Sequence, residues 1–216
     1  MIAFVIVAAA LAFVVLNMGF STTQKAKTAV ISSLGEASSS LEIAGKVTGV
    51  GDVSASLLNV TNVPVKIASG GDSINLNPAL TSIVYLSNSI QYDDIYVGIL
   101  TDQTYRNVTY AFDNADGLVG ATYSYLNANS ANGTGSDPGS SGNADATAAV
   151  IYFSVDRNNN FILDQGEHAN IAVQHKYDER PGALDNIRIE ILLPTGAALT
   201  IERQVPNITN LAVDLG

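Results

Sequence analysis

Residues Ile2–Leu16 read IAFVIVAAALAFVVL: fifteen apolar residues without interruption, and no charged residue occurs before Lys25. No proline precedes Pro64, so a helix starting in the apolar run meets no covalent obstacle as it passes into the polar residues beyond. Ten residues of the run are large: Ile2, Phe4, Val5, Ile6, Val7, Leu11, Phe13, Val14, Val15 and Leu16. Burying them is worth roughly 15–30 kcal/mol at the usual side-chain transfer values. The net stability of a whole domain is only about 5–15 kcal/mol. Such a segment needs shelter in a membrane, in a partner or among copies of itself. It lacks the positively charged start of a secretory signal peptide. Its length approaches the ~20 residues that span a bilayer, so a membrane anchor and an assembly helix both remain open.

The polar continuation keeps a helical period. Val30, Leu34, Ala37, Leu41 and Ala44 recur at alternating spacings of four and three, a seam of small and medium residues suited to close helix packing. The pattern predicts one helix over residues 1–47, a rod of roughly 70 Å at 1.5 Å per residue, ended by Gly45, Gly49 and Gly51. A rod of that length protrudes from any globule the remaining chain can form.

Beyond it the period changes to two. Val60–Ile67, Ser82–Leu86, Ile95–Leu100, Tyr105–Phe112, Ala148–Val155, Asn170–His175, Ile187–Leu193, Ala198–Val205 and Ile208–Val213 are rich in Val, Ile, Thr and Tyr and bounded by Gly, Asn, Asp and Pro. No long helical run separates them. The predicted fold class is α+β: a long N-terminal hydrophobic α-helix followed by an antiparallel immunoglobulin-like β-sandwich over residues 48–216. Residues 127–147, crowded with Asn, Ser, Gly and Asp, are expected to form an exposed loop within it.

Composition removes several function classes. Twenty acidic against ten basic residues give a net charge of −10, which repels a nucleic-acid backbone. There is no cysteine, hence no disulfide scaffold, thiolate metal site or thiol nucleophile. No nucleophile elbow, phosphate loop or zinc-protease motif occurs, and His168 and His175 are expected at a surface or interface. Neither catalysis nor a small-molecule substrate is expected.

The sharpest local pattern is Asp156–Glu167. Counting Asp156 as position one places Asn158, Asn160, Asp164 and Glu167 at positions three, five, nine and twelve, with Ile162 at the position that offers a backbone carbonyl. That is the ligand spacing of a twelve-residue calcium loop, in which a curled backbone gathers six to eight hard oxygens. Phe161 stands where that pattern wants glycine, and strands flank the loop instead of helices. A structural calcium ion and a simple polar turn are therefore both open. Four glycosylation sequons begin at Asn59, Asn107, Asn132 and Asn207.

One stretch of the chain has a family likeness. Val14–Gly49 resembles the archaellins, the filament subunits of archaeal flagella, members of the wider type IV pilin-like superfamily. The similar features follow one another in order: the Asn17-Met18-Gly19-Phe20 step, the Thr23-Gln24-Lys25-Ala26-Lys27 junction, the Gly35–Leu41 run and Ile43–Gly49. The likeness implies a structural subunit that polymerises into an extracellular helical motility filament. The helix, with Ile2, Phe4, Val5, Ile6, Leu11, Phe13, Leu16, Phe20, Val30, Leu34 and Leu41, would pack against other copies, and the β-domain would form the outer wall. It further implies storage in a membrane before assembly and removal of a short charged leader by a prepilin-type peptidase. Met1 opens inside the apolar run, so the leader is expected upstream of it. The rival expectations are an adhesive pilus subunit and a membrane-anchored β-sandwich binding module.

Overall fold

The computed structural model describes residues 2–38, 41–100, 104–108, 110–111, 118–119, 144 and 146–216. Helix α1 runs Ile2–Ser38, 37 residues, or roughly 55 Å. Hydroxyls in its polar half bond back to the preceding turn: Thr22 Oγ1 donates to the Met18 carbonyl at 2.9 Å, Thr23 to Gly19 at 2.8 Å and Thr28 to Gln24 at 3.0 Å. These bonds satisfy the hydroxyls within the helix by sharing carbonyls that also accept a helical N–H.

The helix stops earlier than the seam predicts. Leu41 is not a helical residue: Leu41–Ile43 form strand β1, antiparallel to strand β3 (Leu57–Ile67), with Leu41 opposite Ile67 and Ile43 opposite Val65. Leu41 enters the β-domain core while Glu42 reaches Lys66 at 2.9 Å. A fully buried leucine and a ladder of strand bonds outweigh two further helical turns in water. Nor do Gly49 and Gly51 cap a helix. They lie in β2 (Thr48–Asp52), where a Cβ on Gly51 would meet Ile208 Cγ2 at 2.5 Å.

The other strands are β4 (Ile74–Asn75), β5 (Ser82–Leu86), β6 (Gln91–Tyr92), β7 (Tyr96–Leu100), β8 (Leu118–Val119), β9 (Ala148–Val155), β10 (Ile162–Leu163), β11 (His168–Gln174), β12 (Asn186–Leu192), β13 (Leu199–Gln204) and β14 (Ala212–Asp214). The larger sheet has the order β14-β2-β3-β11-β9-β7-β8, with β1 beside β3. The smaller has the order β13-β12-β5-β6, and β10 pairs with β4 as a ribbon. All pairs are antiparallel except β7 with β9, whose connection is long enough for a parallel crossover. Inward residues of both sheets, Val63, Val65, Ile171 and Val173 facing Ile83, Ile187, Ile189 and Ile201, share one core. The domain is thus a mostly antiparallel two-sheet body carrying a single long helix.

Two expected strands differ from their predicted spans among the described residues. Tyr105–Phe112 does not extend. Its described residues 108, 110 and 111 are helical, because Asn107 Oδ1 accepts the Tyr110 N–H at 2.7 Å and caps a turn closed from the Ala111 N–H to the Asn107 carbonyl. Tyr105, Val108 and Ala111 then cover the outer face of the larger sheet over Tyr152 and Val150. Of Ile208–Val213, only the last two residues reach β14. The loop expected at 127–147 lies outside the described residues except 144, 146 and 147.

Candidate functional site

Helix α1 has no charge over its first 23 residues and no cover. Ile2, Phe4, Val5, Ile6, Leu11, Phe13, Leu16, Phe20 and Val30 are each 61–79% exposed. Leu34 is on the helix, though its side chain is not among those described. Residues Ile2–Ile31 are long and apolar enough to cross a membrane, with a mean hydropathy of 2.6 over the most apolar window. The nine exposed side chains hold back roughly 14–27 kcal/mol of transfer free energy, which no surface among the described residues recovers.

The second feature is the loop joining β9 to β11. Asp156 Oδ1 accepts the N–H groups of Asn158 (3.1 Å) and Asn159 (2.8 Å). Asn158 Oδ1 accepts from Asn160 N at 3.2 Å and Asn160 Oδ1 from Ile162 N at 2.9 Å. Ile162 and Leu163 pair with Asn75 and Ile74, and Leu163 is buried. Glu167 is buried as well; its two oxygens accept Arg157 N at 2.8 Å and Asp164 N at 2.9 Å, so one carboxylate ties the start of the loop to its end. Hydrogen bonds from Ser73, Asn158 and Asn160 hold the Asp164 carboxyl below the usual carboxylate range. Phe161 takes φ +61°, the left-handed conformation for which the calcium-loop pattern uses glycine. The donor chemistry therefore suits a hard cation. The oxygens themselves are spent on the loop's own N–H groups, and among the described residues no three Asp, Glu or His side chains are gathered closely enough to hold a metal.

The sequons separate. Asn207 is exposed. Asn107 is exposed and acts as the helical cap described above, with Thr109 outside the described residues, as is Asn132. Asn59 is withdrawn as an acceptor in the folded domain: it lies at a β-bulge, is 4% exposed, and its Oδ1 accepts Arg180 Nη1 at 2.8 Å. His175 is likewise not at a surface. It is buried at the end of β11, with Nε2 2.9 Å from Thr61 Oγ1 and its ring 5.2 Å from that of Tyr85. The buried Arg180 guanidinium, shared between Asn59 and Asp52 and lying 4.2 Å over the Tyr177 ring, had no sequence signal beyond an isolated Arg near a turn.

A β-domain carrying a long, uncovered apolar helix suits a subunit that polymerises and equally one that is anchored in a membrane. The archaeal-type flagellin family model matches residues 1–203, and the chain belongs to that family: it is a structural subunit of the archaeal flagellar filament, an extracellular structure of the cell surface. It is 31% identical over 223 residues to "Probable flagellin 1" of Aeropyrum pernix, covering 100% of this chain and 93% of that protein. A second "Probable flagellin 1", from Archaeoglobus fulgidus, is 32% identical over 84 residues, 39% of this chain and 41% of that protein. The fold is similar to the archaeal flagellum of Methanospirillum hungatei strain JF1 (TM-score 0.59, 20% identity, 99% and 93% of the two chains). It is also similar to flagellin FlaB1 of Methanocaldococcus jannaschii (TM-score 0.58, 14% identity, 82% and 96%).

Proposed function

We propose that α1 is the polymerising element and that the β-domain performs no chemistry on a substrate. Copies bury their helices against one another in the filament core, in a heterologous contact that does not close on itself, and the acidic β-domains form the wall. The observation that carries this is the exposure of nine large apolar side chains that no described residue covers. Before assembly the same helix resides in the membrane, which its length and hydropathy support, and a prepilin-type peptidase matures the chain there. Replacing Phe4 and Phe13 by Asp is expected to abolish filaments in electron micrographs of sheared cell-surface material while the β-domain melts unchanged. Filaments from that variant, or a dispersed single-molecule wild type free of lipid and detergent, would refute the reading.

The same proposal assigns the Asp156–Glu167 loop a structural calcium ion held by Asp156, Asn158, Asn160, the Ile162 carbonyl, Asp164 and Glu167. Binding requires the Asn158 and Asn160 oxygens to turn from the Asn160 and Ile162 N–H groups to the ion, and Asp164 to exchange its two amide donors for it. At calcium one hundred times its dissociation constant the folded domain gains about 2.7 kcal/mol, so melting should rise with calcium and fall with chelator. The Glu167→Gln variant should lose that difference, and equal wild-type melting in both media rejects the ion. Glycans, where attached, belong at Asn107, Asn132 and Asn207.

A further inference from the structure

The charges of α1 do not balance within a bundle of α1 helices. Between Ile2 and Ser38 the only charged residues are Lys25, Lys27 and Glu36. Each copy brings two ammonium groups and one carboxylate to the helical core. Lys25 and Lys27 are two residues apart, so they leave the helix about 200° from one another. No single face can keep both in water while the rest packs. Both are exposed in the isolated chain, and neither makes an ion pair with another described residue. They stand roughly 17–20 Å along the axis from the end of the helix at Ser38.

The missing carboxylates lie elsewhere in the chain. Taking two basic and one acidic residue of α1 from the totals of ten and twenty leaves eight against nineteen, a balance of −11 outside the helix. On the helix face that carries Lys25 its neighbours are Ser21, Gln24, Thr28 and Ala29, small or hydrogen-bonding side chains around one ammonium. A charge taken from water unpaired is costly, and one taken from water with a hydrogen-bonded partner much less so.

We propose that Lys25 and Lys27 form a cationic collar on each helix and that at least one of them pairs, in the filament, with a carboxylate on the β-domain of a neighbouring copy. This rests on the filament reading above and adds what that reading lacks: a polar contact that fixes the axial register of the helix against the wall. Apolar burial alone tolerates sliding, whereas a charge pair does not.

The test starts from intact native filaments, so a failure of assembly is seen before the proposal is addressed. A water-soluble carbodiimide joins paired ammonium and carboxylate groups without a spacer, and peptide mass spectrometry locates the links. The expected result is a link from Lys25 or Lys27 to an Asp or Glu within residues 41–216. It should vanish when filaments are dissociated before treatment. The link between Lys46 and Asp214, an exposed pair within one chain, should form in both samples. Links from the collar to Glu36 alone, or none while Lys46–Asp214 forms, overturn the proposal. Independently, the Lys25→Glu/Lys27→Glu double variant should yield no filaments. The Lys25→Gln/Lys27→Gln variant should assemble with at least tenfold fewer filaments per cell, and wild-type yield in the charge-reversed variant would also overturn it.

Discussion

Acid should loosen the filament wall through one buried imidazole. His175 is 1% exposed between the two sheets, against Thr61 and the ring of Tyr85, with Nδ1 buried and without a partner. Burial pushes its pKa down from 6.5 to about 3. The folded domain therefore keeps the ring neutral where the unfolded chain protonates it. Because the folded value lies below the unfolded one, the stability it contributes is complete above about pH 6.5. It is lost progressively as pH falls towards 3. At about 1.4 kcal/mol per pKa unit, the total is roughly 5 kcal/mol, a large share of a domain's net stability. The assay is thermal unfolding of purified filaments, followed by circular dichroism of the β-domain, from pH 7.5 to 3.5. His175→Phe keeps an aromatic ring against Tyr85 and removes the titration. The carboxyls of Asp52, Asp164, Glu179 and Asp214, all lowered, also cost stability as pH falls, but they do so equally in both proteins. The wild-type curve should therefore fall more steeply than the variant's between pH 6.5 and 3.5. Parallel curves would show that the imidazole is not the responsible group.

Two backbone predictions accompany it. Gly51→Ala places a methyl 2.5 Å from Ile208 Cγ2, 2.9 Å from Val213 Cγ2 and 3.3 Å from the Asn210 carbonyl, which should cost about 1–3 kcal/mol; an unchanged melting temperature would mean that β14 and the segment before it yield freely. Leu184 is 71% exposed at φ +72°. Leu184→Gly should relieve about 1–2 kcal/mol of left-handed strain against a smaller gain in unfolded-chain entropy, raising the unfolding midpoint in urea; a lowered midpoint would count against strain at that position.

What could be read from the sequence depended on how locally each element is determined. Fifteen apolar residues with no breaker specify a helix whatever follows, and the alternation in Ile187-Arg188-Ile189-Glu190-Ile191 specifies a strand on an exposed sheet, which is β12. The end of α1 is different. Whether Leu41 continues a helical seam or starts a strand depends on Ile67, a partner 26 residues away, and nothing within one turn of Leu41 records that choice. Short strands such as β4 and β10 fail for the same reason: two residues carry no period, and only their mutual pairing defines them.

The Asp156–Glu167 loop shows the limit from the other side. Phe161 argues against a calcium-type loop on intrinsic preference, since a bulky residue at positive φ costs of order 1–3 kcal/mol. Yet the backbone turns there at +61°. The conformation is held from outside the residue. Glu167 ties Arg157 N to Asp164 N, Asn160 Oδ1 takes Ile162 N, and Leu163 is fixed in the core beside Ile74. Phe161 itself packs against that core, so its ring returns part of what its backbone loses, which a glycine could not do. The departure at Phe161 thus leaves the curl of the loop intact, and the decision between a cation and a polar turn passes to the oxygens. Asp156, Asp164 and Glu167 supply three carboxylates within twelve residues, and their mutual repulsion is relieved either by backbone N–H groups, as seen here, or by a divalent ion, the alternative that melting with calcium and with chelator separates.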